Sequence, residues 1–305
     1  GLLVVTFVIG RLMPIDPVLK VVGERATQAQ YDAAFQAMGL DKPLWQQFLI
    51  YVGEVLRGDF GRSISTGHAV LDDLKRVFPA TLELATLGTL IGVCVGVPLG
   101  VIAAARRGGW IDQIARVLAL VGYSMPIFWL GLMGLLLFYG ILGWIGGPGR
   151  QGIIYDGMVP DVTGMILLDS LLAADWSAFR DAFSHIILPA CLLGYFSLAY
   201  ISRMTRSFML EQLSAEYVTT ARVKGLSERR VVWGHAFRNI LVPLVTVIAL
   251  SFASLLEGSV LTEIVFSWPG IGQYITKALL AGDMNAVLGG TVLVGSCFVA
   301  VNILS

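Results

Sequence analysis

Long apolar runs dominate this chain and restrict what it can fold into. Five of them cover about residues 80–105, 113–142, 186–209, 239–265 and 285 onward. Crossing the hydrocarbon core of a bilayer takes roughly 20 residues of helix, and inside that core every backbone polar group must be paired within the protein. Because 56% of the residues are apolar and only 14% are charged, the composition is that of a membrane protein. The runs therefore predict an all-α, polytopic membrane protein.

A shorter apolar run precedes Pro14. Residues 1–13 are too few to cross the bilayer, so we expect them to be the end of a first spanning helix, which makes six spanning helices in all. The last run stops abruptly at Ser305, and we expect that helix also to be longer in the natural protein. A cleaved signal peptide is the alternative for the start, although no small-x-small cleavage pattern follows.

The stretch between the first two runs is polar. Residues 14–79 carry seven basic and eight acidic residues, and the patterns at 26–38 and 44–56 are typical of short amphipathic helices. This stretch is predicted to be a long helical loop outside the cell. The predicted domains are 1–79, which holds the first spanning helix and this extracytoplasmic loop, and 80–305, a transmembrane domain with a basic loop at 211–238.

Basic residues indicate which side of the membrane is cytoplasmic. Arg106, Arg107 and Arg116 flank one short loop, and residues 203–238 carry seven Lys or Arg residues against three acids. In a six-helix count both loops lie on the same side, which the positive-inside rule makes cytoplasmic. Both termini are then cytoplasmic too. The loops predicted to face outward are 14–79, 143–185 and 267–283.

The basic loop contains the pattern of a short, capped helix. Ser214 is the predicted N-cap, and Glu216 lies in the first turn, where the helix dipole favours an anion. Gly225 can adopt the left-handed conformation that closes a helix, with Leu226 covering the end. Ser227 can begin a second helix in the same way as Ser214. A short helix on the basic side of a membrane predicts an element on which a partner docks.

This segment also resembles a known family. The sequence EYVTTARVKGL, followed by RN-x-x-x-P, is similar to the cytoplasmic loop that carries the EAA motif in bacterial ABC importer permeases. Thr219, Thr220 and Ala221 stand at the place of Glu-Ala-Ala, and the distance from Gly225 to Pro243 is longer than in the general motif. Both departures resemble the dipeptide, oligopeptide and nickel branch, and within it the first permease subunit of a dipeptide importer. Further similar segments follow in family order: PIDP at 14–17, GLDKP at 39–43, GYSMP at 122–126, RMTR at 203–206 and FSWPG at 266–270.

The resemblance implies a permease subunit that forms half of a translocation path in the bacterial inner membrane. Its expected partners are a second, homologous permease, two ATP-binding subunits, an extracytoplasmic solute-binding protein and the lipid bilayer, but no nucleic acid. We expect no catalysis and no cofactor in this chain, because ATP and Mg²⁺ would be held by the partner subunits and the chain has no GxxxxGK[ST] loop. Dipeptides or oligopeptides are the expected substrates. The alternatives are nickel, glutathione or another small solute, or a nucleotide-independent channel or secondary carrier.

The resemblance further implies that the short capped helix is a coupling helix seated in a cleft of an ATP-binding subunit. Arg222 and Lys224 are expected to pair with acidic groups there, while Tyr217, Val218 and Ala221 fill an apolar groove. The alternative is that these cations only satisfy the positive-inside rule. The predicted coupling residues are Glu216, Tyr217, Val218, Thr219, Thr220, Ala221, Arg222, Lys224, Gly225 and Leu226.

Polar residues in the apolar runs are candidates for the translocation path. Glu257 lies deep in such a run, where an ionisable group is costly unless it faces a cavity or a partner, so it is a candidate for meeting the amino terminus of a peptide. The alternative is a place near the outer boundary, with a hydrogen bond to Ser254, Ser259 or a neighbouring subunit. Residues 123–125 are path candidates or, alternatively, a kink with local hydrogen bonds. The predicted path residues are Tyr123, Ser124, Met125, Ser254 and Glu257.

The outer loop that contains FSWPG resembles the segment that, in importers of this kind, reaches into a docked binding protein. The predicted contacts with that protein are Trp268, Pro269, Gly270 and Gln273. Glu263 comes just before the loop, and we expect it to anchor the loop at the membrane interface.

Two sets of small residues in the apolar runs are predicted to serve packing. Four glycines recur every fourth residue, from Gly88 to Gly100, and such a stripe lets a neighbouring backbone approach closely. A substrate groove is the alternative for this stripe. The three cysteines, Cys94, Cys191 and Cys297, have no paired spacing, which favours packing over a disulfide or a metal site.

Overall fold

The computed structural model describes residues 4, 5, 7, 8, 17–23 and 25–305. The predicted first spanning helix at 1–13 and most of the PIDP segment lie outside the described residues. Within them, the regular structure is helical apart from one isolated bridge between Arg62 and Ala69. The prediction of an all-α chain is confirmed.

The helices are numbered here in chain order. The first seven are α1 (Pro17–Val22), α2 (Gln28–Ala37), α3 (Leu44–Leu56), α4 (Val70–Ala105), α5 (Trp110–Ser124), α6 (Ile127–Gly134) and α7 (Ile166–Leu172). The remainder are α8 (Trp176–Leu213), α9 (Glu216–Val223), α10 (Phe237–Gly258), α11 (Val260–Val265), α12 (Ile271–Ala281) and α13 (Met284–Leu304). Short segments of π-helix follow α6 and precede α10, at Leu135–Ile141 and Arg230–Ala236, and a 3₁₀ turn lies at Ile153–Tyr155.

Four helices in the described part of the chain are long and apolar enough to cross a membrane. They are α4, α8, α13 and the helix formed by Arg230–Ala236 with α10. The predicted run at 113–142 is divided, because α5 ends at Ser124 and α6 begins after Pro126, with a sharp bend between them. Proline has no N–H and disfavours a helical residue before it, which explains this break. Counting the bent pair as one span gives up to five.

Two spanning helices begin well before the apolar runs that predicted them. α4 starts at Val70, with Asp72 and Asp73 in its first turn, where carboxylates favour a helix. α8 starts after Asp175, whose side chain accepts hydrogen bonds from the backbone N–H groups of Ser177 and Ala178. These polar first turns were missed because the prediction followed apolar residues alone.

The described chain divides into two compact units. The first unit comprises Gly1–Phe78 with Gln273–Ser296, and the second comprises Pro79–Gly272 with Cys297–Ser305. In the first unit, the fully buried carboxylate of Asp283 accepts hydrogen bonds from the hydroxyl of Ser63 (2.6 Å) and the N–H of Ser65 (3.0 Å). These bonds join the two sequence segments of the unit.

In the second unit, α8 is the central helix and packs against α5, α6, α7 and α10. The glycine stripe of α4 also faces α8. A Cβ added at Gly88 would lie 2.9 Å from the Cβ of Leu193, and one added at Gly100 would lie 2.6 Å from the carbonyl oxygen of Ser202. Such distances are too short for any side chain. The predicted close packing along this stripe is therefore confirmed.

Candidate functional site

The predicted coupling segment, residues 216–226, is a short helix that follows α8 directly. Its helical part, α9, covers Glu216–Val223, and its N-cap is Ala215 without a side-chain hydrogen bond. Ser214 is instead the C-cap of the preceding helix, where its hydroxyl donates to the carbonyl of Glu211. The prediction of Ser214 as N-cap is wrong, because that hydroxyl is already used by α8.

The end of this helix has the predicted form. Gly225 has a φ of 82°, a conformation that costs glycine little. Its N–H donates to the carbonyl of Arg222 (2.9 Å), and the N–H of Leu226 donates to the carbonyl of Ala221 (3.2 Å). This pair of bonds is the Schellman arrangement that satisfies the last carbonyls of a helix. The next helix begins at Glu228 after Ser227, also as predicted.

The coupling segment has two different faces. Val218 is fully buried and Ala221 nearly so, both in a core that includes Met209, Val231 and Ile240. These two side chains hold the segment onto its own chain, which corrects the expectation that they fill a partner's groove.

The opposite face of α9 is exposed. Its residues are Glu216, Thr219, Thr220 and Val223, which lie together because three or four residues make one helical turn. Val223 is 83% exposed and was missed from the sequence. The signal was present, since an apolar residue five positions after Val218 lies on the other side of the helix.

The charged residues of the segment differ in what they contact. The guanidinium of Arg222 donates to the carboxylate of Glu228 at 2.8 Å and 3.3 Å, and the hydroxyl of Tyr217 donates to the side chain of Gln212 at 2.9 Å. Lys224 is exposed and has no ion pair within the described residues. Of the two predicted cations, Lys224 is the one whose charge is available to a partner.

A buried ion network lies in the second unit, between α5 and α8. Asp112 is fully buried and accepts from the Arg206 guanidinium at 2.6 Å and 3.0 Å, from Arg116 at 2.7 Å and from the N–H of Gly108 at 2.9 Å. Arg206 belongs to the RMTR motif, but the sequence did not reveal its partner. The carboxylate fixes the turn before α5 against the end of α8.

The FSWPG loop is held in place by the buried side chain of Trp268. Trp268 is fully buried, and its indole N–H donates to the carbonyl of Ala80 at 2.9 Å. The guanidinium of Arg150 lies 5.5 Å from the centre of the indole ring. Since this side chain lies inside the protein, the structure corrects the expectation that Trp268 is offered to a binding protein.

Glu263 anchors the same loop and is fully buried. Its carboxylate accepts from the hydroxyls of Thr81 (2.6 Å) and Ser259 (3.0 Å), and the oxygen of Thr81 accepts in turn from the N–H of Ile271 (2.8 Å). A Cβ at Gly270 would collide with the side chains of Glu263 and Thr81. Gly270 is thus required by packing and is buried, so it offers no side chain to a partner.

Of the remaining predicted outer contacts, Pro269 is exposed and Gln273 is half-buried. Gln273 lies in the first unit, where its side-chain oxygen accepts from the ammonium of Lys277 at 2.8 Å. Their contact with a binding protein stays a prediction.

The loop before α7 is held by residues that the sequence did not single out. The carboxylate of Glu83, a residue that is almost fully buried, accepts hydrogen bonds from the guanidinium of Arg150 (2.8 Å) and from the N–H of Leu167 (2.8 Å). Arg150 also donates to the carbonyl of Gly164 (2.9 Å). Because Arg150 also contacts Trp268, one guanidinium joins the loop before α7 to the FSWPG loop.

The predicted path residues lie on two elements. Ser254 and Glu257 are exposed and one turn apart on α10, and Glu257 has no hydrogen bond or ion pair within the described residues. Ser124 and Met125 are exposed at the break between α5 and α6, where the hydroxyl of Ser124 donates to the carbonyl of Leu120 at 2.8 Å. The side chain of Tyr123 lies outside the described residues. Whether these residues line a path stays a prediction.

Comparison with known proteins identifies the family. The profile of the binding-protein-dependent transport system inner membrane component matches residues 96–305, and that of the N-terminal part of such membrane components matches residues 2–85. The chain belongs to this family. It is thus a multi-pass membrane component of a transport system.

Relatives of this transport component match over almost their whole length. The di/tripeptide transport system permease protein DppB of Pseudomonas aeruginosa (strain UCBPP-PA14) is 46% identical over 303 residues, which cover 99% of this chain and 90% of that protein. The probable D,D-dipeptide transport system permease protein DdpB of Escherichia coli (strain K12) is 44% identical, over 99% of this chain and 89% of its own length. The dipeptide transport system permease protein DppB of the same strain is 43% identical, over 100% of this chain and 90% of its own length.

A solved structure supports the same fold. A chain of the MetNI methionine ABC transporter in an inward-facing conformation superposes with a TM-score of 0.52, covering 74% of this chain and 91% of that chain. At 16% identity, this likeness concerns the fold alone.

Proposed function

We propose that this chain is a permease subunit of an ATP-driven, binding-protein-dependent importer of dipeptides or oligopeptides. The observation that carries the proposal is the similarity of 43–46% over nearly the whole chain to permeases whose names state transport of dipeptides or di/tripeptides. The proposal of a peptide substrate rests on this overall similarity and not on single residues, because substrate choice in such a system would depend largely on the binding protein.

In this proposal, energy enters the chain through the coupling segment. Two ATP-binding subunits close on ATP, and each moves a helix seated in its cleft. The exposed face of α9, with Val223 at its centre, is the surface that fits this role. Val218 and Ala221, buried in the chain's own core, would pass that movement to the membrane helices.

The complete transporter would contain this chain, a second homologous permease, two ATP-binding subunits and a binding protein on the outside. Both termini and the coupling segment would face the cytoplasm. This chain would form half of the path and carry out no covalent chemistry. Glu257 would face that path and meet the amino terminus of the peptide. The substitution Glu257→Gln should therefore change peptide uptake more than a substitution that removes one exposed charge elsewhere in the chain.

Purification from the native membrane tests the assembly. We expect the chain to be recovered with two ATP-binding subunits and a second permease, and the reconstituted complex to take up peptide only with ATP and binding protein. Accumulation of solute by vesicles that hold this chain alone, without nucleotide, would establish a secondary carrier and reject the proposal. Nickel or glutathione bound to the co-purified binding protein would instead reject the peptide substrate and leave the mechanism in place.

A further inference from the structure

A cavity of about 470 Å³ lies in the second unit, where α4 ends, α5 begins and the helix after the coupling segment starts. Its volume is within the range of about 300–1,000 Å³ that is typical of ligand sites. None of the roles proposed above uses this cavity. It lies beside the coupling segment, because Glu228 and Arg229 of its lining follow that segment closely in the chain.

Two guanidinium groups line the cavity without a partner. Arg106 and Arg229 are both exposed, and neither makes an ion pair with any residue that the structure describes. The cavity also contains Glu228, but both of its carboxylate oxygens accept from Arg222. The neighbouring Asp112 is buried between Arg116 and Arg206. The cavity therefore presents two uncompensated positive charges.

The rest of the lining is apolar. Ile102 belongs to the spanning helix α4 and is 36% exposed, and Trp233 on the facing wall is 39% exposed. Val232 forms part of the buried floor. Next to the cavity, Trp110 is 71% exposed, and tryptophan is enriched where membrane helices meet the headgroup layer. Apolar walls next to charged groups at a helix end suit a ligand that is itself amphipathic.

We propose that this cavity binds the headgroup of an anionic phospholipid. The phosphate lies between Arg106 and Arg229, and the acyl chains run along Ile102 and Trp233 into the bilayer. Basic pockets between helix ends are known sites for anionic headgroups, and the stems of arginine side chains pack along apolar surface while the charge stays outside it.

A soluble protein surface, such as the acidic surface of an ATP-binding subunit, fits this cavity less well. It would satisfy the two guanidiniums but would leave Ile102, Trp110 and Trp233 without apolar contact. A lipid satisfies both parts of the lining. The proposal requires only that α4 crosses the bilayer, so it does not depend on the solute that is carried.

Native mass spectrometry of the complete transporter tests the proposal. The complex is delipidated, titrated with dioleoyl phosphatidylglycerol or dioleoyl phosphatidylcholine, and compared with the double variant Arg106→Gln/Arg229→Gln. We expect the variant to bind phosphatidylglycerol about thirtyfold more weakly, which corresponds to about 2 kcal/mol for two basic residues. The matched control is Arg107→Gln/Arg230→Gln, which removes two neighbouring exposed charges that do not line the cavity, and it should bind like the unaltered protein.

The possible outcomes separate the sources of the anion. Equal binding in the two double variants, or equal binding of the zwitterionic phosphatidylcholine, would overturn the proposal. Displacement of the bound lipid by millimolar glycerol phosphate would identify a soluble anion as the ligand and overturn it as well. Loss of the ATP-binding subunits from the Arg106/Arg229 variant, with lipid binding unchanged, would assign the surface to those subunits. Each outcome leaves the proposed peptide transport untouched.

Discussion

The hydroxyl of Thr81 donates a hydrogen bond of 2.6 Å to the carboxylate of Glu263, although 182 residues separate them in the sequence. The same oxygen accepts from the N–H of Ile271, the first residue of α12. The side chain of Thr81, on α4, therefore connects the carboxylate of Glu263 with the backbone of α12. The FSWPG loop between them is therefore held by polar bonds in a buried place. Buried bonds of this kind are costly to leave unmade.

Thr81→Val should destabilise the FSWPG loop, because it leaves the carboxylate of Glu263 and the N–H of Ile271 each without one partner. We expect a loss of about 1–3 kcal/mol, measured as a fall in the thermal unfolding temperature of the purified protein. Thr219→Val is the matched control, since its hydroxyl is exposed and makes no hydrogen bond within the described residues. Equal unfolding temperatures for the two variants would contradict the assignment.

Asp112→Asn should loosen the contact between α5 and α8. Arg206 would keep its charge in a largely buried place without a counter-ion, and removing one partner of such a pair costs about 3–5 kcal/mol. Arg116→Gln removes the more exposed partner, whose side chain is 54% exposed, so its effect should stay within about 1 kcal/mol. Thermal unfolding of both variants measures the difference, and similar losses would show that burial does not govern this network.

Val223→Asp should separate the ATP-binding subunits from this chain without unfolding it. The side chain is 83% exposed, and exposed substitutions usually change stability by no more than about 0.5 kcal/mol. The measurement is the amount of ATP-binding subunit that co-purifies, alongside the unfolding temperature of the chain.

Two controls bracket this result. Val223→Thr keeps the shape and should retain the subunits, whereas Val218→Asp introduces a charge into the chain's own core and should lower the unfolding temperature. Full recovery of ATP-binding subunits with Val223→Asp would remove the exposed face of α9 from the proposed contact.

Crosslinking tests the predicted contact of the FSWPG loop with a binding protein at two neighbouring residues. In a protein whose native Cys94, Cys191 and Cys297 have been replaced, Pro269→Cys should capture a docked binding protein, because residue 269 is exposed. Trp268→Cys should not, because position 268 is fully buried. Capture from both positions would mean that the loop leaves its pocket when the binding protein docks.

Local features were predictable from the sequence, while distant partners were not. The role of Gly225 follows from its place after a helical pattern, and the close-packing face of α4 follows from the spacing of its glycines, since each pattern is visible within one helix. The partner of that face, α8, was not visible in the sequence. The burial of Trp268 depends on Ala80, 188 residues away, and no periodicity encodes such a contact. The sequence places Val218 and Val223 on opposite sides of α9, but which of the two faces the core became visible only once α9 was placed against α8.

The cap of α8 gives a prediction about pH. Hydrogen bonds to Asp175, first from the hydroxyl of Ser177 and then from the N–H of Ala178, hold the pKa of its carboxyl below the ordinary value. A carboxylate with a lowered folded-state pKa adds stability above its unfolded pKa of about 3.9, and that stability is lost as the pH falls through the folded value.

Asn is an equally good N-cap, so Asp175→Asn removes only the charge. We expect the variant to unfold at a lower temperature than the unaltered protein at pH 7, and the difference to shrink steadily below about pH 4. A difference that stays constant down to pH 2 would show that the charge of Asp175 does not stabilise α8.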